Sequence, residues 1–321
     1  AFAAVIRRDA PVQYRWGWLP AREAGIPVTH DSALCNSDVW ACVRVISEDL
    51  AKLPWRIYQE SDGGKLEQTR SVAGRMLNVA PNEDMSAFSF RETLIAHALT
   101  WGNGYAEIAR DTLGRPAALW PLPPDAVTPK RDDANKLVYE VRTSSGNAYL
   151  RAADVFHLHG LGWDGMVGYS VINQARKAIG LGLAAEQFGA DFYRNGTTAS
   201  IQLSTPNRLS DTARDRLKGD LEDFHQGVGK QFRPMVLEEG MKVENVSLPL
   251  ADAQFVESRK FQTSDIARWY RVPPHKIGDL ERATFTNIEQ QAIEYVTDCL
   301  MPWARRLEQE AARKLLPRRD A

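Results

Sequence analysis

A long helical pattern lies in the middle of the chain, at residues 170–194, and reads SVINQARKAIGLGLAAEQFGADFYR. Ser170 can cap its start, and Asn195-Gly196 follows its last turn, where glycine commonly ends a helix. One continuous helix of this length would measure about 38 Å. Its middle is rich in alanine and glycine, and each glycine costs a helix about 1 kcal/mol. We therefore expect neighbouring backbone to pack closely against it.

Two further long helices are predicted on the C-terminal side. The first, Ala253–Arg271, stops before Pro273-Pro274, because a proline disfavours helical backbone in the residue that precedes it. A polar loop, Gly278–Phe285, follows. A Thr-x-x-Glu capping-box pattern opens the second helix, Thr286–Leu316, and Pro302 is expected to kink it.

A small β-α-β-β insert is predicted between the first two long helices. Ile201–Ser204 is typical of a strand, and Ser210 can cap a charged helix from Asp211 to about Gln226. Met235–Glu238 and Lys242–Ser247 are predicted to form a hairpin around a Glu-Gly turn.

The residues before the long helices mix short helices with strands, which predicts an α+β unit. Ser37 and Ser86 can each cap a helix with apolar residues at helical spacing. A proline-rich connector, Pro116–Pro129, is expected to be extended and to lie in solvent. Strands are predicted at Trp55–Tyr58, Tyr105–Arg110, Leu137–Arg142, Ala148–Leu150 and Val155–His159.

The composition limits the classes of protein to consider. The chain has 321 residues, more than most single hydrophobic cores, so two or more structural units are expected. Its 40 Lys and Arg against 41 Asp and Glu argue against an overall basic, DNA-gripping surface. The longest uncharged stretch, Thr93–Ala106, is too short for a membrane-spanning helix of about 20 residues. Three cysteines without metal-ligand spacing favour a reducing compartment.

Two short motifs have a possible chemical role. Gly160-Leu-Gly-Trp-Asp-Gly165 follows a strand and precedes a helix, as in dinucleotide-binding proteins, but no second strand follows the helix. A glycine-rich turn is therefore favoured over nucleotide binding. His157 and His159 place two imidazoles on one face of a strand without a third ligand nearby, which favours a structural role over a metal site. No enzyme, cofactor or metal is predicted.

The helical half favours a ring over an ordinary helical domain. Helices rich in alanine and glycine that also carry much polar surface do not readily make a single-chain core. They are better suited to a ring, in which each subunit packs against its neighbours.

Beyond these patterns, the chain resembles the HK97-like portal proteins of tailed bacteriophages from about Ser32 to Leu316. The most specific match is Arg268–Gly278, RWYRVPPHKIG. The order and spacing of all the segments carry the resemblance more than any one of them. The other matching segments are Ser37–Pro54, Gly102–Ile108, Pro121–Val127, Asp154–Leu158, Gly168–Ile172 and Glu289–Ile293.

The resemblance implies a portal-type α+β fold with named parts. The crown of the family is expected to be absent or truncated in this chain. The implied parts are a mixed α/β wing (1–168), stem helices (169–198 and 250–277), a β-α-β-β clip (199–249), a tunnel loop (278–285) and a long kinked helix leading towards the crown (286–321).

The resemblance also implies a function and a set of partners. A homo-oligomeric ring, usually of twelve subunits, would sit at one capsid vertex of a virion and pass double-stranded DNA during packaging and ejection. Its partners would be the terminase large subunit, the head–tail connector and the major capsid protein, with non-specific DNA contact and no membrane. Assembly would occur in the bacterial cytoplasm. Two alternatives stay open: a nucleotide-binding enzyme using Gly160–Gly165, and another ring-forming connector of a virus-like or gene-transfer particle.

Two groups of site residues follow from the resemblance. Arg282 is the lone basic side chain of the first group and is expected to touch phosphates transiently, unless it pairs with Glu281 or a neighbouring subunit. The second group is expected to dock partners or the next subunit, unless it is only a solvated helix face. The tunnel-loop group is Asp279, Leu280, Glu281, Arg282, Thr284, Thr286 and Asn287; the clip group is Asp211, Arg214, Arg216, Lys218 and Glu222.

Overall fold

The computed structural model describes residues 22–23, 26–61, 64–68, 71–195, 201–205, 210–216, 219, 241–245, 252–279 and 285–316. These residues form helices and antiparallel sheets, which confirms the α+β prediction. Within these ranges, no helix has the length and apolar character needed to cross a bilayer.

Two of the helices, α4 and α5, begin at side-chain caps that the sequence predicts. The hydroxyls of Ser86 and Ser170 accept from the amides of Ser89 and Asn173, as predicted. The helices are α1 (His30–Leu34), α2 (Ser37–Ala51), α3 (Val72–Asn78), α4 (Ala87–Trp101), α5 (Val171–Gln174), α6 (Arg176–Asn195), α7 (residues 211–216), α8 (Asp252–Tyr270), α9 (Phe285–Glu294) and α10 (Met301–Leu315).

The cap of α2 differs from the prediction. Asn36, not Ser37, holds this position, because its side-chain oxygen accepts from the amides of Asp38 and Val39 at 3.2 Å each. Ser37 is the first helical residue.

All strand pairs in the described residues are antiparallel. The sheets have the strand orders β10-β5-β6, β7-β8-β9, β1-β2, β3-β4 and β11-β12. The strands are β1 (Arg22–Glu23), β2 (Ile26–Pro27), β3 (Tyr58–Ser61), β4 (Gly64–Glu67), β5 (Asn103–Arg110), β6 (Pro116–Leu122), β7 (Val127–Arg131), β8 (Leu137–Thr143), β9 (Gly146–Arg151), β10 (Val155–His159), β11 (Ile201–Ser204) and β12 (Lys242–Asn245).

Two predictions in the first half of the chain are wrong. The strand expected from Trp55 begins only at Tyr58, because the Trp55 amide donates to the Asn78 side chain instead of to a strand. The proline-rich connector is extended, but it forms β6 and β7 rather than lying in solvent. Leu119 in β6 is fully buried, and its amide donates to the carbonyl of Pro81.

The main core forms where α2 packs against α4 and α4 leads directly into β5. Its fully buried side chains come from both helices and from the sheet β10-β5-β6. They include Ile46, Leu50, Phe90, Leu94, Ile95, Leu119, Phe156 and Leu158.

The predicted helix at residues 170–194 is divided into two. α5 ends at Gln174, because the backbone angles of the next residue, Ala175 (φ −86°, ψ 6°), leave the helical region, and α6 begins at Arg176. The start of α5 is fixed to the end of α4, because the Ser170 hydroxyl donates to the carbonyl of Thr100. α6 instead packs against α8.

The last helical region also departs from the prediction. α9 begins at Phe285, so Thr286 lies in its first turn rather than at its cap. A π-helix, Tyr295–Leu300, joins α9 to α10 immediately before Pro302, where a kink was expected. Proline has no amide hydrogen to give to the carbonyl four residues back. The hydrogen-bond ladder changes spacing at this point, and the amide of Met301 donates to Val296.

The described strands of the insert, β11 and β12, pair with each other. β11 pairs with β12, with Ile201 opposite Asn245 and Ser204 opposite Lys242. The predicted strand Met235–Glu238 and the charged helix beyond residue 219 lie outside the described residues.

The glycine motif at residues 160–165 belongs to a turn that packs on its own chain. A Cβ added at Gly162 would lie 1.8 Å from the carbonyl oxygen of Val167, and one at Gly168 would lie 2.1 Å from that of Gly102. The close approach that glycine permits is therefore made by protein backbone.

Buried polar groups hold this turn against the sheet. The Asn103 side-chain oxygen accepts from the Gly168 amide (2.8 Å) and from His157 Nε2 (3.1 Å). Tyr139 donates its hydroxyl hydrogen to His157 Nδ1 at 3.0 Å, which leaves the imidazole neutral. Burial keeps the pKa of His157 well below its usual value. Both ring nitrogens of His157 thus have protein partners.

We expect Gly168→Ala to destabilise the protein by about 1–3 kcal/mol, because backbone cannot yield cheaply to the added methyl group. Urea unfolding of the purified chain measures the effect. Gly219→Ala is the control, since Gly219 is helical with open space around it and alanine favours helix. An unchanged midpoint for Gly168→Ala would contradict the packing argument.

Candidate functional site

The segment that leads into the predicted tunnel loop is fixed by backbone hydrogen bonds. After α8, a 3-10 turn, Pro274–Ile277, ends at Gly278 in the left-handed conformation (φ 92°). The Asp279 amide donates to the Pro274 carbonyl at 3.0 Å. The chain therefore enters the loop in a defined direction.

Side-chain contacts tie the two flanks of the loop together. His275 Nδ1 lies 2.8 Å from Oε1 of Gln291 in α9, and since an amide oxygen only accepts, Nδ1 donates. The Lys276 ammonium lies 5.0 Å from the ring centroid of Tyr295, within cation–π range. The residues on either side of residues 280–284 are thus held by one cluster.

This cluster is anchored on α2. The Tyr295 hydroxyl donates to the Val45 carbonyl at 3.4 Å, and the Thr263 hydroxyl of α8 donates to the Asp38 carboxylate at 3.1 Å. Burial raises the pKa of Asp38, while Thr263 and Arg259 oppose the rise and the charge of Asp279 adds to it. The Asp279 carboxylate is thus within electrostatic reach of the start of α2.

The two long helices are bridged at the same end of α2. The Glu186 carboxylate of α6 accepts from the side-chain amide of Asn36 and from the Arg259 guanidinium of α8, each at 3.4 Å. A Cβ at Gly182 would lie 3.0 Å from the Asn36 side-chain nitrogen. The close neighbours of Gly182 are therefore side chains, and not the backbone expected at the small residues of this helix.

The structure describes only part of the predicted tunnel-loop group. Asp279 is half-buried at the end of the 3-10 turn, and Thr286 and Asn287 lie in the first turn of α9. Leu280, Glu281, Arg282 and Thr284 lie outside the described residues, as do the side chains of Thr286 and Asn287.

The described residues of the predicted clip group lie on α7. Asp211 and Arg214 are exposed and form an ion pair of 3.3 Å one turn apart, and Arg216 is exposed on the same helix. Lys218 and Glu222 lie outside the described residues. The pair is a surface contact, which contributes little to stability.

Sequence reasoning missed a set of exposed apolar side chains on the helical half. Phe188 of α6 and Phe261 of α8 are 61% and 64% exposed. The available signal was their spacing, since Leu181 and Phe188 stand two helical turns apart on one face. The other members are Leu181, Trp269, Ile293, Val296 and Met301.

The described side chains offer no obvious metal centre. No group of three or more His, Cys, Asp or Glu among them is placed to hold an ion. His159 Nδ1 lies 3.0 Å from the Gly160 carbonyl, and His157 is engaged by Tyr139 and Asn103.

Comparison with known proteins identifies the family. The model of the family "Phage portal protein" matches residues 37–321. The portal protein of Enterobacteria phage HK97 is 33% identical over 298 residues, which cover 91% of this chain and 70% of that protein. The probable portal protein of Streptomyces phage phiC31 is 30% identical over 319 residues, 93% of this chain and 67% of that protein. The chain therefore belongs to the phage portal protein family, as the resemblance indicated.

Solved structures share the fold. An HK97-family phage portal protein from Corynebacterium diphtheriae matches with a TM-score of 0.63 and 18% identity, over 89% of this chain and 90% of that one. A chain from the neck of a native gene transfer agent particle, computed with C12 symmetry, matches with a TM-score of 0.62 and 21% identity, over 95% and 83%.

We expect Gln291→Leu to lower the free energy of unfolding by about 1 kcal/mol, because the His275 donor loses its acceptor. Hydrogen exchange should also speed up at residues 275–279. Gln290→Leu is the matched control, since the neighbouring Gln290 is exposed and donates to Glu294 one turn along α9. Equal effects of the two substitutions would contradict a role of the link in fixing the loop.

Proposed function

We propose that this portal protein closes into a ring of identical subunits at one capsid vertex and forms the channel through which double-stranded DNA is packaged and ejected. The observation that carries the proposal is the set of exposed apolar side chains on α6, α8 and the helices after the loop. A monomer gains nothing from displaying them, whereas a neighbouring subunit can cover them.

Covering these side chains provides the energy for assembly. Burying one Phe, Leu or Ile side chain is worth about 1.5–3 kcal/mol. Leu181, Phe188 and Phe261 lie on helices that pack against each other, and we propose that one neighbour covers all three. A head-to-tail contact of this kind generates a closed ring when the rotation between subunits divides a full turn.

The charge of the chain suits a conduit for DNA. Each phosphate that a protein neutralises strengthens binding through counterion release. A chain with net charge −1 lacks the general positive surface that would hold DNA in place. DNA can therefore slide through a channel built from such subunits.

We assign the parts of the ring as follows. The pairing of β11 with β12 supports a separate clip, because it joins the two ends of that segment. The parts are the wing (1–168), the stem helices (169–198 and 250–277), the clip (199–249), the tunnel loop (278–285) and the helix leading towards the crown (286–321).

The proposed ring has twelve subunits and works as a structural conduit rather than as an enzyme. Twelve-fold symmetry was applied to the neck of the gene transfer agent particle that shares this fold. Its partners are the terminase large subunit, the head–tail connector and the major capsid protein. Assembly takes place in the host cytoplasm, and the ring then resides in the particle.

Negative-stain electron microscopy and native mass measurement of the purified chain test the ring. We expect rings with a central hole that admits a DNA duplex, and Phe188→Ser with Phe261→Ser should shift the mass towards monomer. Both side chains are exposed, so the subunit should remain folded. Leu66→Ser, an exposed apolar residue of β4, is the control and should leave rings intact. Rings unaffected by the double substitution would exclude the helical faces as the interface.

The tunnel-loop group is proposed to contact DNA, with Arg282 touching phosphates transiently. Arg282→Glu should slow packaging and reduce DNA retention, because twelve positive charges in the channel become negative. Glu281→Gln separates the alternative: if Arg282 only pairs with Glu281, removal of that partner should give the same defect. Unchanged packaging and retention in Arg282→Glu would reject the phosphate contact.

The clip group is proposed to dock the packaging motor and the connector. Reversal of Arg214, Arg216 and Lys218 to Glu should weaken that binding in a pull-down assay while rings still form. Arg44→Glu is the control, because Arg44 forms a similar exposed pair with Glu48 within a helix of the wing. Full partner binding by the triple variant would show that α7 is only a solvated face.

A further inference from the structure

The turn between β10 and α5 displays two large apolar side chains. Trp163 is 90% exposed and Leu161 is 76% exposed. Tryptophan is the residue type most enriched at the energetic centres of protein interfaces. The described residues leave this pair largely uncovered, whereas Gly162 and Gly168 in the same turn pack closely against backbone.

The turn holds the pair in a fixed position. The Asp164 side chain accepts from the amides of Met166 (2.8 Å) and Val167 (3.0 Å), and the Tyr169 amide donates to the Leu161 carbonyl at 2.7 Å. The backbone that carries Trp163 therefore has little conformational entropy left to lose when a partner binds. A large, exposed aromatic side chain on a fixed backbone is well suited to insert into a pocket.

A groove of matching chemistry lies elsewhere on the chain. A cavity of about 800 Å³ opens between the start of α3, the β5–β6 turn and the end of α10. Val72, Pro116 and Leu316 contribute to its mostly apolar lining. It is larger than two apolar side chains need, so the tip of a loop can enter it.

The polar groups of the groove are basic. Arg110, Arg115, Arg313 and Lys314 line it, and their acidic partners Asp111, Asp154 and Glu310 do not. The arginines at positions 115 and 313 stay largely exposed despite those pairs. Guanidinium groups stack favourably on tryptophan, and the carboxylate beside Trp163 has the opposite charge to the groove.

The loop and the groove lie at opposite ends of one rigid unit. The loop leaves the end of β10 beside the start of β5, where the Gly160 amide donates to the Gly102 carbonyl, and the groove includes Arg110 at the other end of β5. Eight residues of strand span about 25 Å. α10 gives the same order, with Trp303 close to Gly160 and Leu315 in the groove. One subunit therefore cannot fill its own groove with its own loop.

We infer that Trp163 and Leu161 of one subunit enter the groove beside Val72 of the next subunit. Two different surfaces at opposite ends are what a head-to-tail contact requires, and the same surfaces then repeat around a ring. The inference rests on the proposed ring and adds to it a second contact between neighbours, distant from the helical faces.

Cysteine cross-linking distinguishes this contact from others. Leu161→Cys and Val72→Cys are introduced together into a Cys35→Ser background, because Cys35 is the exposed native thiol whereas Cys42 and Cys299 are buried. Treatment with a short bis-maleimide should then give a ladder of covalent multimers up to the complete ring. Each single variant should give no cross-linked species, because a head-to-tail contact never places two copies of one residue together.

The outcomes separate the contact from the ring. Rings in the electron microscope without a ladder would overturn the Trp163 contact and leave the proposed function intact, as expected if the loop meets the capsid instead. Absence of both rings and ladder would overturn both. Dimers from Leu161→Cys alone, with no ladder from the pair, would show a symmetric contact and also overturn the inference.

A second variant series tests the aromatic side chain itself. Trp163→Ala should raise the dissociation constant between neighbouring subunits about tenfold or more, while Trp163→Phe should retain most of the affinity. The thermal unfolding of the subunit should not change in either variant, since the side chain is exposed. An unchanged dissociation constant in Trp163→Ala would overturn the inference.

Discussion

The close approach of three backbone segments at the end of α4 organises the rest of the structure. The carbonyl of Gly102 accepts from the Gly160 amide at 2.8 Å, and Gly168 packs against the same carbonyl where any Cβ would collide. One residue before Gly102 the helix ends, and one residue after it β5 begins. The sheet, the Trp163 turn and the helical half therefore all start from a joint whose geometry only glycine allows.

Neutral histidines stabilise this joint. The Ser170 hydroxyl gives its hydrogen to Thr100, so the 3.1 Å contact with His30 requires Nε2 of His30 to be the donor. The His30 ring stacks on Trp101 with the centroids 3.5 Å apart, and burial lowers its pKa to about 4. Because the unfolded state binds a proton near pH 6.5 and the folded state resists it, stability from His30 is lost as the pH falls from about 6.5 towards 4.

Local sequence signals predicted what depends on neighbours in the chain and missed what depends on distant partners. The caps at Ser86 and Ser170 and the strand Val155–His159 were predictable because their chemistry is local. The burial of Leu119 was not predictable. Its backbone bonds to the Pro81 carbonyl and to the side-chain amide of Asn82, 37 residues away in the sequence. The same division applies to the candidate site. The resemblance located the loop, but the contact of Thr263 with Asp38 joins residues 225 apart and has no local signal.

A ring with a defined number of subunits needs a fixed angle between neighbours as well as an apolar contact surface. One contact between neighbours, such as the faces of Phe188 and Phe261, leaves the rotation about that contact free. The proposed second contact, of Trp163 with the adjacent groove, would fix that rotation, which for a ring of twelve is about 30°. The joint around Gly102 ties the two contacts together, because the helical half and the Trp163 turn both leave from it. In the proposed ring, rigidity of this joint would determine whether the ring closes, since a small error in angle at every step accumulates around the circle.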